Sequence, residues 1–184
     1  SAMNSVRSIL FAALTLTVSV AAQCDPAWAP GDAPPAMYGT VHHMTTWDPD
    51  GAGPLASVLV CVGDTGGFAT TAARVRTWDG VRWTPLGELT AQSAYAAISW
   101  NGQLLVATDN GLLAWTGSTW QTFANVGGIR AMQVYNGELY VTGSFSSVAG
   151  VPAANIARWN GSAWSAVGAG LGGVGYAFAV FQNV

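Results

Sequence analysis

The amino-acid sequence predicts an all-β protein: a partial, open β-propeller of about three four-stranded blades plus the first strand of a fourth. Three observations predict it. The composition favours sheets over helices, a tryptophan-framed phrase occurs three times, and Asn-Gly turns fall between those phrases.

Of the 184 residues, 51% are hydrophobic and 8% charged, with 23 Gly and 9 Trp. That is too apolar for a disordered chain and too poor in Glu and Lys for a helix-rich domain. Lysine is absent, so arginine supplies all 6 basic side chains. With a formal net charge of -3 and no basic cluster, the chain lacks the cationic surface that phosphate backbones require, which argues against nucleic acid as a partner.

After Met3 and Arg7 comes an apolar run from Ile9 to Ala22. A membrane-spanning helix needs roughly 20 such residues. This run is shorter, and with small Val20 and Ala22 at its end it reads as the core of a signal peptide. Residues 1–22 are therefore expected to be a signal peptide preceded by Ser1 and Ala2, and residues 23–37 a linker to the first blade. Secretion or cell-surface display is the expected location, with no membrane insertion once the signal is removed. An oxidising compartment permits a disulfide between Cys24 and Cys61. Spacing alone does not supply the Cα separation that bond needs, so the pairing stays open.

Trp78-Asp79-Gly80-Val81-Arg82-Trp83, Trp115-Thr116-Gly117-Ser118-Thr119-Trp120 and Trp159-Asn160-Gly161-Ser162-Ala163-Trp164 are one W-x-G-x-x-W phrase repeated. From Trp78 to Trp115 is 37 residues and from Trp115 to Trp159 is 44. Between them, Ala96 to Leu104 aligns with Ala131 to Leu139, each holding an Asn-Gly pair between β-rich runs, the strongest short hairpin signal. Two hairpins in about 40 residues make one four-stranded blade. In the third repeat, strands are expected near Ile129 to Tyr135, Glu138 to Thr142, Ile156 to Trp159 and Ala163 to Val167. The extra length of that repeat, Ser144 to Asn155, is expected to be a loop.

The first repeat diverges: Trp47 stands where the others have Trp100 and Tyr135, and Asp48 to Pro54 replaces the Asn-Gly turn. Ala177 to Asn183 repeats the opening strand of a blade. The expected blades are 38–87, 88–124, 125–168 and a partial 169–184, together the propeller fragment 38–184. The missing remainder is expected from further blades of the same chain or from other copies.

The run Asn155 to Trp164, with Asn136 to Phe145 before it, resembles the Trp-rich, kelch-like repeats of large secreted bacterial proteins, and Trp47 to Gly51 looks like that family's first blade. The resemblance implies an extracellular kelch-like or galactose-oxidase-like propeller, usually with no assigned activity, and fold alone does not set function. Copper oxidases sharing that fold need tyrosine and histidine ligands with a modified cysteine. The 2 histidines here are adjacent, His42 and His43, so that activity is not carried over.

His42 and His43 fall on the expected innermost strand of the first blade. Neighbours on a strand point to opposite faces, so they do not chelate one metal, and a structural, hydrogen-bonded role is expected. Asp48 and Asp50 with Gly51 begin like a calcium loop. The later ligands are missing, and the segment reads as a solvated turn. Trp78, Trp83, Trp115, Trp120, Trp159 and Trp164 could be imagined stacking on sugars, but recurrence at fixed strand positions assigns them to packing between blades. Serines abound while bases are nearly lacking, so no nucleophile, catalytic residue or cofactor is expected. The expected function is a non-enzymatic extracellular binding scaffold with a protein or glycan partner, using chiefly the loops Gly63 to Ala72 and Ser144 to Ala154 together with the mouth of the channel. The alternatives are a carbohydrate-binding or carbohydrate-active module and a component that closes a propeller by oligomerisation.

Overall fold

The structure is a computed structural model that describes residues 39–64 and 74–181, all within the compact unit Ala33–Val184. The described residues are all-β and contain no helix. Three four-stranded antiparallel meanders follow one another along the chain. The first holds β1 (Thr40–Trp47), β2 (Val58–Asp64), β3 (Val75–Trp78) and β4 (Trp83–Pro85). β5 (Ala94–Trp100), β6 (Gln103–Thr108), β7 (Gly111–Trp115) and β8 (Trp120–Ala124) form the second. The third consists of β9 (Ile129–Tyr135), β10 (Glu138–Gly143), β13 (Ile156–Trp159) and β14 (Trp164–Ala166), and a small hairpin of β11 (Ser147–Val148) and β12 (Val151–Pro152) sits between β10 and β13.

Local chemistry explains the hairpins. Asn101 and Gly102 (φ 48 and 78) and Asn136 and Gly137 (φ 50 and 78) take the two positive angles that a type I′ turn requires. In the W-x-G-x-x-W phrase the second residue is Asp, Thr or Asn because its side-chain oxygen caps the turn. Asp79 Oδ1 accepts from the N–H groups of Val81 (2.8 Å) and Arg82 (2.9 Å), and Asn160 Oδ1 does the same for Ser162 and Ala163 (both 2.9 Å). Thr116 Oγ1 accepts from the Thr119 N–H. The two tryptophans of each phrase then face each other across the ladder, with ring centroids 5.4, 5.1 and 5.5 Å apart.

The sheets pack face to face in chain order, with β1 beside β5 and β5 beside β9. Strand alternation divides the second sheet between two cores. Leu104 and Val106 join Trp47, Val60, Val62 and Val75 of the first sheet, while Leu105 and Ala107 join Ile129, Met132, Leu139 and Val141 of the third. All four of those β6 residues are 0% exposed. One hydrogen bond repeats between sheets: Trp47 Nε1–H donates to the Gly102 carbonyl (2.9 Å) and Trp100 Nε1–H to the Gly137 carbonyl (3.2 Å). Tyr135 holds the same place in the third sheet, 46% exposed, with its ring edge-on to Tyr140.

Two sequence expectations differ from the structure. The insertion Ser144 to Asn155 holds a folded hairpin and is not a free loop: Val148 and Ala153 are buried in the core between the second and third sheets. Asn155, at φ 62, ties it down. Its Oδ1 accepts from Phe145 N–H, its Nδ2 donates to the Leu171 carbonyl, and its own carbonyl accepts from Gly143 N–H and Thr142 Oγ1–H. The second difference lies at Ala177 to Phe181, which forms no strand because no second strand among the described residues exchanges ladder bonds with it. The segment is instead led past the end of β10, where Gly175 N–H donates to the Gly143 carbonyl at 3.3 Å. Residues 182–184 lie outside the described residues.

Candidate functional site

Each of the three inner hairpins contains a register shift at the start of its first strand. Val41 pairs with Gly63 and His43 with Val62, so His42 is left over. Ala94 pairs with Thr108 and Ala96 with Ala107, leaving Tyr95. Ile129 pairs with Gly143 and Ala131 with Thr142, leaving Arg130. A β-bulge inserts one unpaired residue and re-aims its side chain, which is why bulges gather beside functional sites. Here the three extra residues come from equivalent places in successive sheets.

The three side chains form one row. The His42 ring stacks on Tyr95, centroids 5.6 Å apart and planes 13° from parallel. On Tyr95 also rests the Arg130 guanidinium, its Cζ 4.0 Å from the ring centroid, a favourable cation–π geometry. His42 is fixed at both ring nitrogens: Nδ1 lies 3.0 Å from the Ala94 carbonyl and Nε2 3.3 Å from Asp64 Oδ2. With Ser93 and Tyr176 these residues line an open groove of about 570 Å³ at the leading ends of β1, β5 and β9. Tyr176 is one residue before Ala177, as Arg130 is before Ala131, so the tail supplies a fourth member of the row. It is 73% exposed. No carboxylate among the described residues pairs with Arg130.

Of the residues singled out from sequence, His42 belongs to this groove, and of the expected binding loop Gly63 to Ala72 the groove takes Asp64. His43 points elsewhere, its Nδ1 accepting from Ala97 N–H at 3.4 Å. Partial desolvation there lowers its pKa from the ordinary 6.5. As pH falls through 6.5, the unfolded chain takes up a proton that the folded chain accepts only at lower pH, so stability declines until the folded pKa is passed. Because His43 still meets solvent, a small loss of melting temperature is expected as pH falls through 6.5. His43→Gln should flatten it, and an unchanged slope in that variant would assign the effect to another group.

Asp48 and Asp50 are occupied by their own turn, Asp48 Oδ1 accepting from Asp50 N–H and Asp50 Oδ2 from Leu55 N–H. Among the described residues no three His, Cys, Asp or Glu side chains gather to hold a metal. Trp115 and Trp120 pack against the first sheet, and Trp159 and Trp164 against the second. Trp120 Nε1–H also donates to the Leu86 carbonyl at 2.9 Å. Cys61 is a free thiol, 2% exposed in β2, whose burial pushes it up to about 11 against the opposing pull of Arg76. It is therefore unreactive at neutral pH. Cys24 lies outside the described residues, as do the segments expected to be a signal peptide and a linker and residues 65–72 of the loop Gly63 to Ala72.

Tyr95, Arg130, Tyr176 and Ser93 are groove residues that sequence reasoning passed over, whereas Asp64 belongs to the loop Gly63 to Ala72 named there for binding. The signal for the first three was present: aligning His43 with Ala96, Ala131 and Ala177 and stepping back one position gives His42, Tyr95, Arg130 and Tyr176. Comparison of the chain with protein-family models, with curated proteins and with solved structures finds no match.

Proposed function

We propose that this chain is an exported, non-enzymatic binding scaffold, an open β-propeller segment of three blades that presents its ligand site at one mouth of the stacked sheets. The observation that carries the reading is the row of bulge residues, one from each sheet, converging on one groove. The repeated indole hydrogen bond, from Trp47 and Trp100 to a turn one blade further on, supports a regular blade-to-blade step. The apolar run Ile9 to Ala22 supports export. Nothing in the groove pairs a nucleophile with a base, so binding is favoured over turnover.

A glycan array and a panel of hydrolase and oxidase substrates, both with the full chain, test this directly. Saturable binding without turnover is expected, and binding should fall at least tenfold in Arg130→Glu. Measurable turnover blocked by that substitution overturns the scaffold reading. For the architecture, a crystal structure in which β1, β5 and β9 do not run side by side about one axis would sink the propeller.

A further inference from the structure

The chemistry of the groove narrows its ligand, given the reading that the groove is the binding face. Tyr95 is contacted by both the His42 ring and the Arg130 guanidinium, and so anchors the guanidinium in the groove. A stacked guanidinium keeps the N–H groups along its edge, a fork that matches a carboxylate through two parallel hydrogen bonds. Arg130 is unpaired by any carboxylate among the described residues, so this fork is available to a ligand.

The surroundings exclude a polyanion. Asp64 lines the same groove and the chain carries a formal net charge of -3, so a second or third negative group on the ligand would be repelled. Asp64, through the Oδ2 that also meets His42, and the Ser93 hydroxyl instead offer acceptors suited to neutral hydroxyls. Tyr176, 73% exposed, adds a free aromatic surface on which an apolar C–H face can rest. One carboxylate, several hydroxyls and a C–H-bearing ring face describe one class of molecule. A volume of about 570 Å³ lies within the roughly 300–1,000 Å³ of small-molecule sites.

We propose that the groove at the leading ends of β1, β5 and β9 binds a sugar unit bearing a carboxylate, a uronic acid. Arg130 holds the carboxylate, Asp64 and Ser93 the hydroxyls, and Tyr176 one face of the ring. An acidic peptide supplies the carboxylate but neither the hydroxyls nor the ring face, and a neutral sugar lacks the group that uses the fork.

The test titrates the full chain with methyl glucuronoside, with methyl glucoside, which differs from it only at C6, and with N-acetylglutamate, following saturation-transfer NMR and calorimetry. The glucuronoside is expected to bind at least tenfold more tightly than either other probe. Arg130→Gln should abolish that preference, Arg130→Lys should recover part of it, and Tyr176→Ala should weaken both sugars alike. Equal binding of the two sugars, tighter binding of N-acetylglutamate, or no binding of the glucuronoside overturns the proposal. Should Arg130→Gln not fold, Arg130→Lys carries the test, and an unchanged glucuronoside affinity there also overturns it. A different ligand found on the array and lost in Arg130→Glu would remove the uronic acid while leaving the scaffold reading intact. Turnover of the glucuronoside would remove the scaffold reading and leave the sugar.

Discussion

Replacing Trp164 by alanine is expected to remove about 3–5 kcal/mol of folding stability, the usual cost of deleting a large buried aromatic. Against a total of roughly 5–15 kcal/mol for a domain, that approaches complete unfolding at physiological temperature. Trp164 is 8% exposed and stands at the meeting of two sheets. It lies edge-on to Phe123 of β8 at 6.3 Å and tilted against Trp159 at 5.5 Å, while Phe123 is also edge-on to Trp159 at 5.6 Å and to Trp100 at 6.2 Å. Removing the indole therefore loosens the contact between the second and third sheets as well as the β13–β14 hairpin, and a smaller residue cannot refill a space walled by the Phe123 and Trp159 rings. Val81→Ala, at an exposed turn position in the first sheet, is the control, with an expected change within about 0.5 kcal/mol. Urea unfolding of the two variants side by side decides it. A Trp164→Ala loss no larger than that of Val81→Ala would mean that the tryptophan phrase does not join the sheets.

How much of this was legible in the sequence follows from how local each determinant is. The hairpin turns were readable because Asn136 and Gly137 need no information beyond themselves: their positive φ values are a property of those residue types. The same holds for the capped turns at Asp79, Thr116 and Asn160. The hairpin of β11 and β12 escaped because its turn, Ala149 and Gly150 at φ 47 and 83, uses alanine in a region that alanine seldom enters. Its two-residue strands also exist only because Val148 finds a core to enter. The groove was the least legible part. A bulge is a mismatch between two strands, so no single strand announces it. The four residues in the row, His42, Tyr95, Arg130 and Tyr176, are of three chemical types and resemble no motif until the sequence repeats are superposed.

Gly143→Ala is expected to cost about 3 kcal/mol and to disorganise the groove together with the sheet. A Cβ at Gly143 would lie 2.0 Å from the Gly128 carbonyl oxygen and 2.8 Å from the Ile129 Cα. Both are backbone atoms, so no side-chain rotation relieves the clash. The start of β9 and the end of β10 must separate, which strains packing by about 1–3 kcal/mol and puts at risk the hydrogen bonds Ser144 N–H to Gly128 carbonyl (2.9 Å) and Gly143 N–H to Asn155 carbonyl (3.1 Å), each worth about 1 kcal/mol. The second sheet, with Thr108 at the corresponding position, forms its bulge without so close an approach. Because Arg130 is the residue that the bulge ejects, separating the strands releases the guanidinium from Tyr95. The side-chain protons of Arg130, shielded by the ring in the native chain, should move to their unstacked NMR positions in Gly143→Ala. Gly173→Ala, where an added Cβ meets nothing within 4 Å, should leave both stability and those resonances unchanged. If Gly143→Ala kept the shielded Arg130 signals, the close approach of the two strands would not be what aims the arginine, and the link from sheet register to the groove would fail at its first step.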